Sequence, residues 1–218
     1  LAQILADAEA EQLAGAKKII PYDNPPFDGK YVIGIDVSYS DSIACGCGSV
    51  MDFQSKEIVH LESLISTCKI SYIPGFFFLR EGPIIIELLK RIKHAGPLLI
   101  DGNGILHPRR CGLASQVGIK MNRQTIGVAK SLLLGTMGAR TDDIAAITES
   151  GEQIGTALWL GKKKKPVFVS IGHRLSLETA VNIVKATSIF GYPEPLRQAH
   201  LLAKKVCKIE EPSNRDYT

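Results

Sequence analysis

Hydrophobic and polar positions first settle into a regular pattern at Tyr31. YVIGIDVSY (31 to 39) is rich in β-branched and aromatic residues; a turn at Ser40 to Ser42 leads to IACGCGSVM, and KEIVHLESLIS follows. The three runs predict an antiparallel three-stranded meander, with Gly46 and Gly48 weakening the middle strand. Upstream, LAQILADAEAEQLAGAKK has an amphipathic spacing that predicts a helix over about 1 to 18, and PYDNPPFDGK reads as a loop. Downstream, a loop with Tyr72, Pro74 and Gly75 precedes a helix of about three turns. Pro83 is placed near its start, where a missing amide proton costs nothing. PLLIDG predicts a short buried strand, followed by a helix from about Cys111, a strand at TIGVAK and an irregular stretch to about 150. Strands at EQIGTALWL and PVFVSIG and helices at 176 to 188 and 195 to 207 complete the chain. Hairpins first and alternating strands and helices later imply an α/β fold with a central mixed sheet and flanking helices.

Length and composition narrow the class. The 218 residues are 45% hydrophobic and 22% charged, proportions that exclude disorder, collagen and a disulfide scaffold. One domain over 1 to 218 is expected, and folding at this size buries roughly 70% of the unfolded chain's surface. FFFLREGPIIIELLKRIK is broken by Arg80, Glu81 and Pro83, so no membrane span is expected. The opening segment carries Asp7, Glu9 and Glu11 where a signal peptide needs a basic start and an apolar stretch. The expectation is an intracellular protein, cytoplasmic or nuclear, and a start at Leu1 suggests trimming. Cysteines 45, 47, 68, 111 and 207 lack any C-x-x-C pair and are expected to be reduced and mostly buried.

The net charge of +4 hides an asymmetry. Residues 1 to 109 hold 10 basic and 13 acidic residues, whereas 110 to 218 hold 16 and 9. A basic half suits a polyanion, yet ordinary surface charge gives the same sum. GKKKKP (161 to 166) lies between two strands and reads as a hairpin loop.

Several residues stand out as chemistry. Asp36 interrupts an apolar strand, where an ionised carboxylate is costly unless hydrogen-bonded, paired or bound to a metal. Asp101 repeats the pattern at the carboxyl end of LLI, where α/β sheets commonly present a site. Two such carboxylates fit a hard cation such as Mg²⁺ as well as a hydrogen-bond network. Glu81, just before a helix, fits a helix-dipole contact equally well. His200 follows Leu196 by four residues and belongs at the edge of an apolar helix face, as a packed imidazole or a ligand. His107 and Lys130 taken singly read as surface residues.

Together, IGIDVSY, YIPGFFFLREGP, DGNGILHPRRCGLAS, IGVAKSLL, VFVSIGHRLSLETAV and PEPLRQAH resemble the successive motifs of the endonuclease V family, over about residues 31 to 207. The resemblance implies an RNase H-like nuclease domain acting on inosine-containing nucleic acid. It places a metal site at Asp36, Glu81 and Asp101, with His200 on the last helix sharing that metal role. His107 and Lys130 match residues that contact the phosphate near the cut or its attacking water. Mg²⁺ is the implied cofactor, and Mn²⁺ is expected to substitute. An inosine pocket is implied at Gly75, Phe77, Gly102, Gly112, Leu113, Ala129 and Leu133, and a wedge at Tyr72, Ile73 and Pro74. Gln116 departs from the family, where His is frequent, at the outer wall of the cleft.

The resemblance further implies cleavage at the second phosphodiester 3′ to inosine, leaving a 5′-phosphate and a 3′-hydroxyl. GKKKKP and HPRRCGLAS lean the expectation toward a eukaryotic member and toward single-stranded RNA rather than DNA. A monomer with no obligate protein partner is expected. The rival readings are another RNase H-like nuclease, such as a junction resolvase, and a catalytically silent nucleic-acid-binding module.

Overall fold

The computed structural model describes residues 1–68 and 70–210. The first helix is α1 (Ala2–Ala16), and the expected meander follows as β1 (Tyr31–Ser40), β2 (Ile43–Asp52) and β3 (Ile58–Thr67). Next come α2 (Phe77–Arg91), β4 (Leu98–Asp101), α3 (Leu113–Met121) and β5 (Thr125–Ala129). The remainder is β6 (Thr136–Met137), β7 (Ile144–Glu149), β8 (Glu152–Leu158), β9 (Val167–His173), α4 (Leu177–Ala186) and α5 (Glu194–Glu210). The strands form one sheet in the order β3-β2-β1-β4-β5-β9-β8-β7-β6. β4 runs parallel to β1, and β5 parallel to β4, while the other pairs are antiparallel.

Alternation along the central strands sorts their side chains onto two faces. Ile33, Ile35, Val37, Leu98 and Ile100 pack under α2 and α3, against Ile85, Leu88, Ala114 and Val117. Val32, Leu99, Ile126 and Val128 pack under α4 and α5, against Ala180, Ile183, Val184 and Leu196. A third cluster, with Ile147, Ile154, Trp159 and Phe168, closes the β7–β8 end. Among the described residues no helix is long and apolar enough to cross a membrane.

Four expectations are corrected. The stretch expected to be irregular contains β6 and β7, because Ala145 and Ile147 turn into the third cluster when β7 pairs with β8. Pro83 lies inside α2 because the helix begins at Phe77; Leu79 therefore loses its usual i+4 backbone donor, and Glu81 sits in the helix rather than before it. Helix α1 docks through Gln12 and Gly15, while Leu1, Ile4 and Leu13 stay exposed, so its apolar spacing makes no buried stripe. Cys45 and Cys207 form a disulfide joining β2 to α5, with Cα atoms 5.7 Å apart. Cys47, Cys68 and Cys111 are unpaired thiols.

Candidate active site

Strand register builds the centre of the site. Ile35 pairs with Ile100 across the parallel β1–β4 edge, so the next residues, Asp36 and Asp101, lie side by side. Asp101 pairs with Val128 of β5, and Lys130 follows just past that strand. Helix α5 reaches Asp36 because Gly34 lets it come close. A Cβ at Gly34 would lie 2.2 Å from the Pro195 carbonyl carbon, and Ser49 Oγ donates to the Pro195 carbonyl at 2.6 Å. Two turns into α5, His200 Nδ1 lies 2.8 Å from Asp36 Oδ2. From the opposite face, α2 delivers Glu81, only 5% exposed.

Neighbouring carboxylates burden Asp36 and Glu81. Burial raises the pKa of Asp36, the charge of Asp101 raises it further, and His200 lowers it. Glu81 is held well above the usual carboxylate range by burial and then by Asp36 and Asp101. Tyr39, on the same strand as Asp36, is itself raised by burial and by the charge of Glu81, and Arg80 lies 3.7 Å over its ring. Cys47, paired with Asp36 across β1–β2, is pushed up to about 12 by burial and by Asp36. Lys130 Nζ, 2.6 Å from Asp101 Oδ2, supplies a cation to the cluster, and Arg80 lowers the pKa of Glu81.

Hard oxygen donors that repel one another when unpaired suit a divalent cation. The side chains nevertheless do not form a ready cage: among the described residues no three His, Cys, Asp or Glu converge as a ligand set. Asp36 is engaged with His200, and Asp101 with Lys130, so a cation would have to displace or share those contacts.

A cavity of about 170 Å³ is lined by Gln12, Tyr72, Gly75, Phe77, Asn103, His107, Gly112, Leu113, Ser131 and Leu133, so it draws on the chain just past Asp101 and Lys130. Five of the seven expected pocket residues line it, whereas Gly102 and Ala129 do not. Ile73, Pro74, Gly75 and Phe76 form a tight turn closed by the Phe76 N–H to the Ile73 carbonyl at 3.0 Å, with Gly75 at φ +78°. Proline followed by a left-handed glycine is the signature of a type II turn. Tyr72 is 57% exposed at this tip, its ring set edge-on to Phe77 with centroids 5.5 Å apart.

The turn is anchored through one carbonyl. Gly75 O accepts from Gln12 Nε2 at 2.9 Å and Arg109 Nη2 at 2.8 Å. His107 Nε2 lies 3.1 Å from the same oxygen, and the Arg109 N–H donates to His107 Nδ1 at 3.2 Å. Burial, and then Arg109, lower the pKa of His107 to about 4. The ring is thus neutral, with its proton on Nε2 and both nitrogens engaged in holding the turn. Gln116 is buried in α3, its Nε2 donating to the Cys111 carbonyl at 3.4 Å, away from this cavity.

Sequence reasoning missed Gln12, Asn103 and Ser131 in the cavity. Only Asn103 carried a signal, its place between two glycines beside Asp101. Its Oδ1 is buried without a hydrogen-bond partner among the described residues.

The endonuclease V family model matches residues 13–201 of the chain. The chain belongs to the endonuclease V family. A curated endonuclease V from Thermofilum pendens is 38% identical over 202 residues, covering 91% of this chain and 87% of the relative. The solved endonuclease V of Ciona intestinalis, in complex with a 24mer DNA containing an inosine followed by a ribo-adenosine, superposes with a TM-score of 0.88. It is 31% identical, with 97% of this chain and 100% of the other covered. The catalytic domain of human endonuclease V gives 0.86 at 29% identity, covering 96% and 98%. Endonuclease V membership makes the chain a nuclease and its sheet an RNase H-like fold.

Proposed function

We propose that the protein is a divalent-metal-dependent endonuclease that cuts inosine-containing single strands at the second phosphodiester 3′ to inosine, leaving a 5′-phosphate and a 3′-hydroxyl, with RNA as its natural substrate. The observation that carries this reading is a base-sized cavity whose lining residues Asn103 and Ser131 adjoin Asp101 and Lys130 in the chain. Its volume falls below the range typical for whole small-molecule ligands, which fits one flipped base. The Ciona intestinalis relative was solved with inosine-containing DNA, which supports the same ligand class here.

Asp36, Glu81 and Asp101 would hold Mg²⁺ or Mn²⁺, with His200 orienting Asp36. The bound cation would activate a water nucleophile and offset charge developing on the phosphate. The chain's own groups do the rest. Tyr72, Ile73 and Pro74 fill the gap left by the extruded nucleotide, and the braced Gly75 turn keeps that tip rigid. Gly112 and Leu113 let backbone close on the base edge, which excludes the exocyclic amine that distinguishes guanine from hypoxanthine. Asn103 Oδ1 offers an unsatisfied acceptor to the same edge. Lys130, released from Asp101, would meet the phosphate.

Cleavage of matched single-stranded RNA and DNA oligonucleotides, each with one inosine or one guanosine, in Mg²⁺ tests this reading. Mg²⁺-dependent scission one nucleotide beyond inosine, faster in RNA and absent with guanosine, is expected. Equal cutting of inosine and guanosine strands would reject inosine as the recognised base, and faster cutting of DNA would reject the assignment of RNA.

A further inference from the structure

The loop between α4 and α5 has two differently directed aromatic residues. Its ends are clamped by the Glu194 N–H to the Thr187 carbonyl at 2.8 Å and by a bridge between Ser188 and Pro193. Tyr192 turns inward. Its hydroxyl is buried without a hydrogen-bond partner among the described residues, and Lys130 Nζ lies 5.3 Å from its ring centroid. One side of the loop therefore forms the wall behind the Lys130–Asp101 pair.

Phe190 turns outward and is 65% exposed, with neighbouring Ile189 at 47%. The Arg197 guanidinium sits over the Phe190 ring at 5.1 Å. Arg197 is itself fixed by two 2.6 Å bonds to Glu194, so it backs the ring firmly. The lysine run arrives beside it: a Cβ at Gly191 would lie 2.7 Å from Lys163 Cε, so the Lys163 stem packs against the loop. An exposed aromatic ring flanked by cations matches the pairing of stacking platform and electrostatic track that single strands use.

Position decides which part of a strand it would meet. The base-sized cavity draws its lining from the N-terminal ends of α2 and α3, whereas the Phe190 loop joins α4 to α5 on the other face of the sheet. Asp101 ends β4 with Asp36 beside it on β1; Asn103 links Asp101 to the cavity, and Lys130, against Tyr192, links it to the loop. On that geometry a strand with inosine in the cavity and its 3′ phosphates over the carboxylates would leave toward Phe190.

We propose that Phe190, backed by Arg197 and flanked by Lys163, is a stacking subsite for a base of the substrate strand on the 3′ side of the cut. The subsite rests on the reading of the cavity as the inosine site. Stacking is tolerant of base identity, so the subsite adds affinity and strand length preference without adding sequence preference.

The test compares KM and kcat in Mg²⁺ for two single-stranded inosine RNAs, one ending a single nucleotide beyond the cut and one extended by eight nucleotides on that side. In the wild type the longer strand has the lower KM. In Phe190→Ala that advantage should shrink about fivefold or more, and Phe190→Trp should restore it. Because Phe190 is exposed, neither change threatens folding. A length advantage that survives in Phe190→Ala overturns the subsite and leaves the patch to a protein contact. An equal KM increase for short and long strands, or an effect confined to 5′ extensions, overturns it too. Loss of inosine preference in the wild type would instead count against the function proposed above, since a Phe190-dependent length effect is measurable on any strand the enzyme cuts.

Discussion

Lys130 Nζ stands 2.6 Å from Asp101 Oδ2, so a cationic side chain already occupies the carboxylate that a divalent ion would use. In the proposed reaction a metal would compete with the lysine for the same oxygen, and the lysine would serve the phosphate instead. Lys130→Met should therefore tighten Mg²⁺ binding, by a few-fold at this half-exposed position, and still reduce kcat by about 10²-fold or more through loss of a phosphate contact. Calorimetric Mg²⁺ titration alongside single-turnover kinetics checks the pair of effects. Weaker Mg²⁺ binding in the variant would mean that Lys130 supports the carboxylates rather than competing for them.

Asp101 raises the pKa of Asp36, and both raise that of Glu81, so their charges work against one another in the absence of a cation. Alanine at any of the three should cost orders of magnitude in turnover yet leave the metal-free melting temperature unchanged or higher. His200 Nδ1 lies 2.8 Å from Asp36 Oδ2. His200→Asp should retain more activity than His200→Ala if the position also serves the metal, because a carboxylate can still coordinate a hard cation. Thermal denaturation in EDTA with Mg²⁺-dependent kinetics separates the two roles, and equal activity in the two His200 variants would leave it a packing residue.

The sequence exposed this part of the site because Asp36 and Asp101 are isolated carboxylates in apolar strand runs, a pattern with few physical explanations. Glu81 was placed before its helix because Pro83 reads as a first-turn residue. Packing of Phe77 and Phe78 against the core draws the helix start upstream instead. β7 escaped notice because only Ala145 and Ile147 of its six residues carry the inward alternation, and pairing with β8 supplies the rest. Neither the Cys45–Cys207 bond, across 162 residues, nor the Gln12–Gly75 bond, across 63, has a local signature. Both exist because of the fold that surrounds them.

Tyr72 projects from a turn braced by Gln12, Arg109 and His107, so its ring is held out at little entropic cost. Tyr72→Ala should weaken binding of inosine strands by about 1 to 3 kcal/mol, the worth of one stacking contact. Gln12→Ala should give a smaller loss in the same direction by loosening the turn. Mg²⁺ affinity should stay constant in both variants. Unchanged oligonucleotide affinity in Tyr72→Ala would make the tip a structural loop.

His107 offers a pH test. Its folded pKa of about 4 lies below the ordinary value near 6.5, so the folded state binds fewer protons than the unfolded chain between those limits. The stability that it contributes is present above about pH 6.5 and is lost as pH falls through about 4. Denaturant unfolding at pH 7.5 and pH 4 should show a larger acid loss in the wild type than in His107→Asn. Its imidazole resonances should stay in the neutral form across the neutral range. Titration near 6.5 would contradict its burial on Gly75 and would make it available for proton transfer.

Lys162, Lys163, Lys164 and Lys165 are all exposed in the β8–β9 turn, where like charges in sequence repel and ordinarily face water. Packing of the Lys163 stem on Gly191 brings the turn next to Phe190 and Arg197, so this run borders the route assigned to the strand. Each phosphate neutralised on a single strand contributes about −0.7 to the slope of log affinity against log salt. Changing Lys162, Lys164 and Lys165 to Ser while keeping the packed Lys163 should flatten that slope by about 0.7 to 2, according to how many of the three reach phosphate. Preference for inosine over guanosine should not move, because phosphate contacts carry no base information. An unchanged slope would return the three lysines to solvated surface, and a lost inosine preference would place the turn at the base cavity, on the face opposite to the one where the fold puts it.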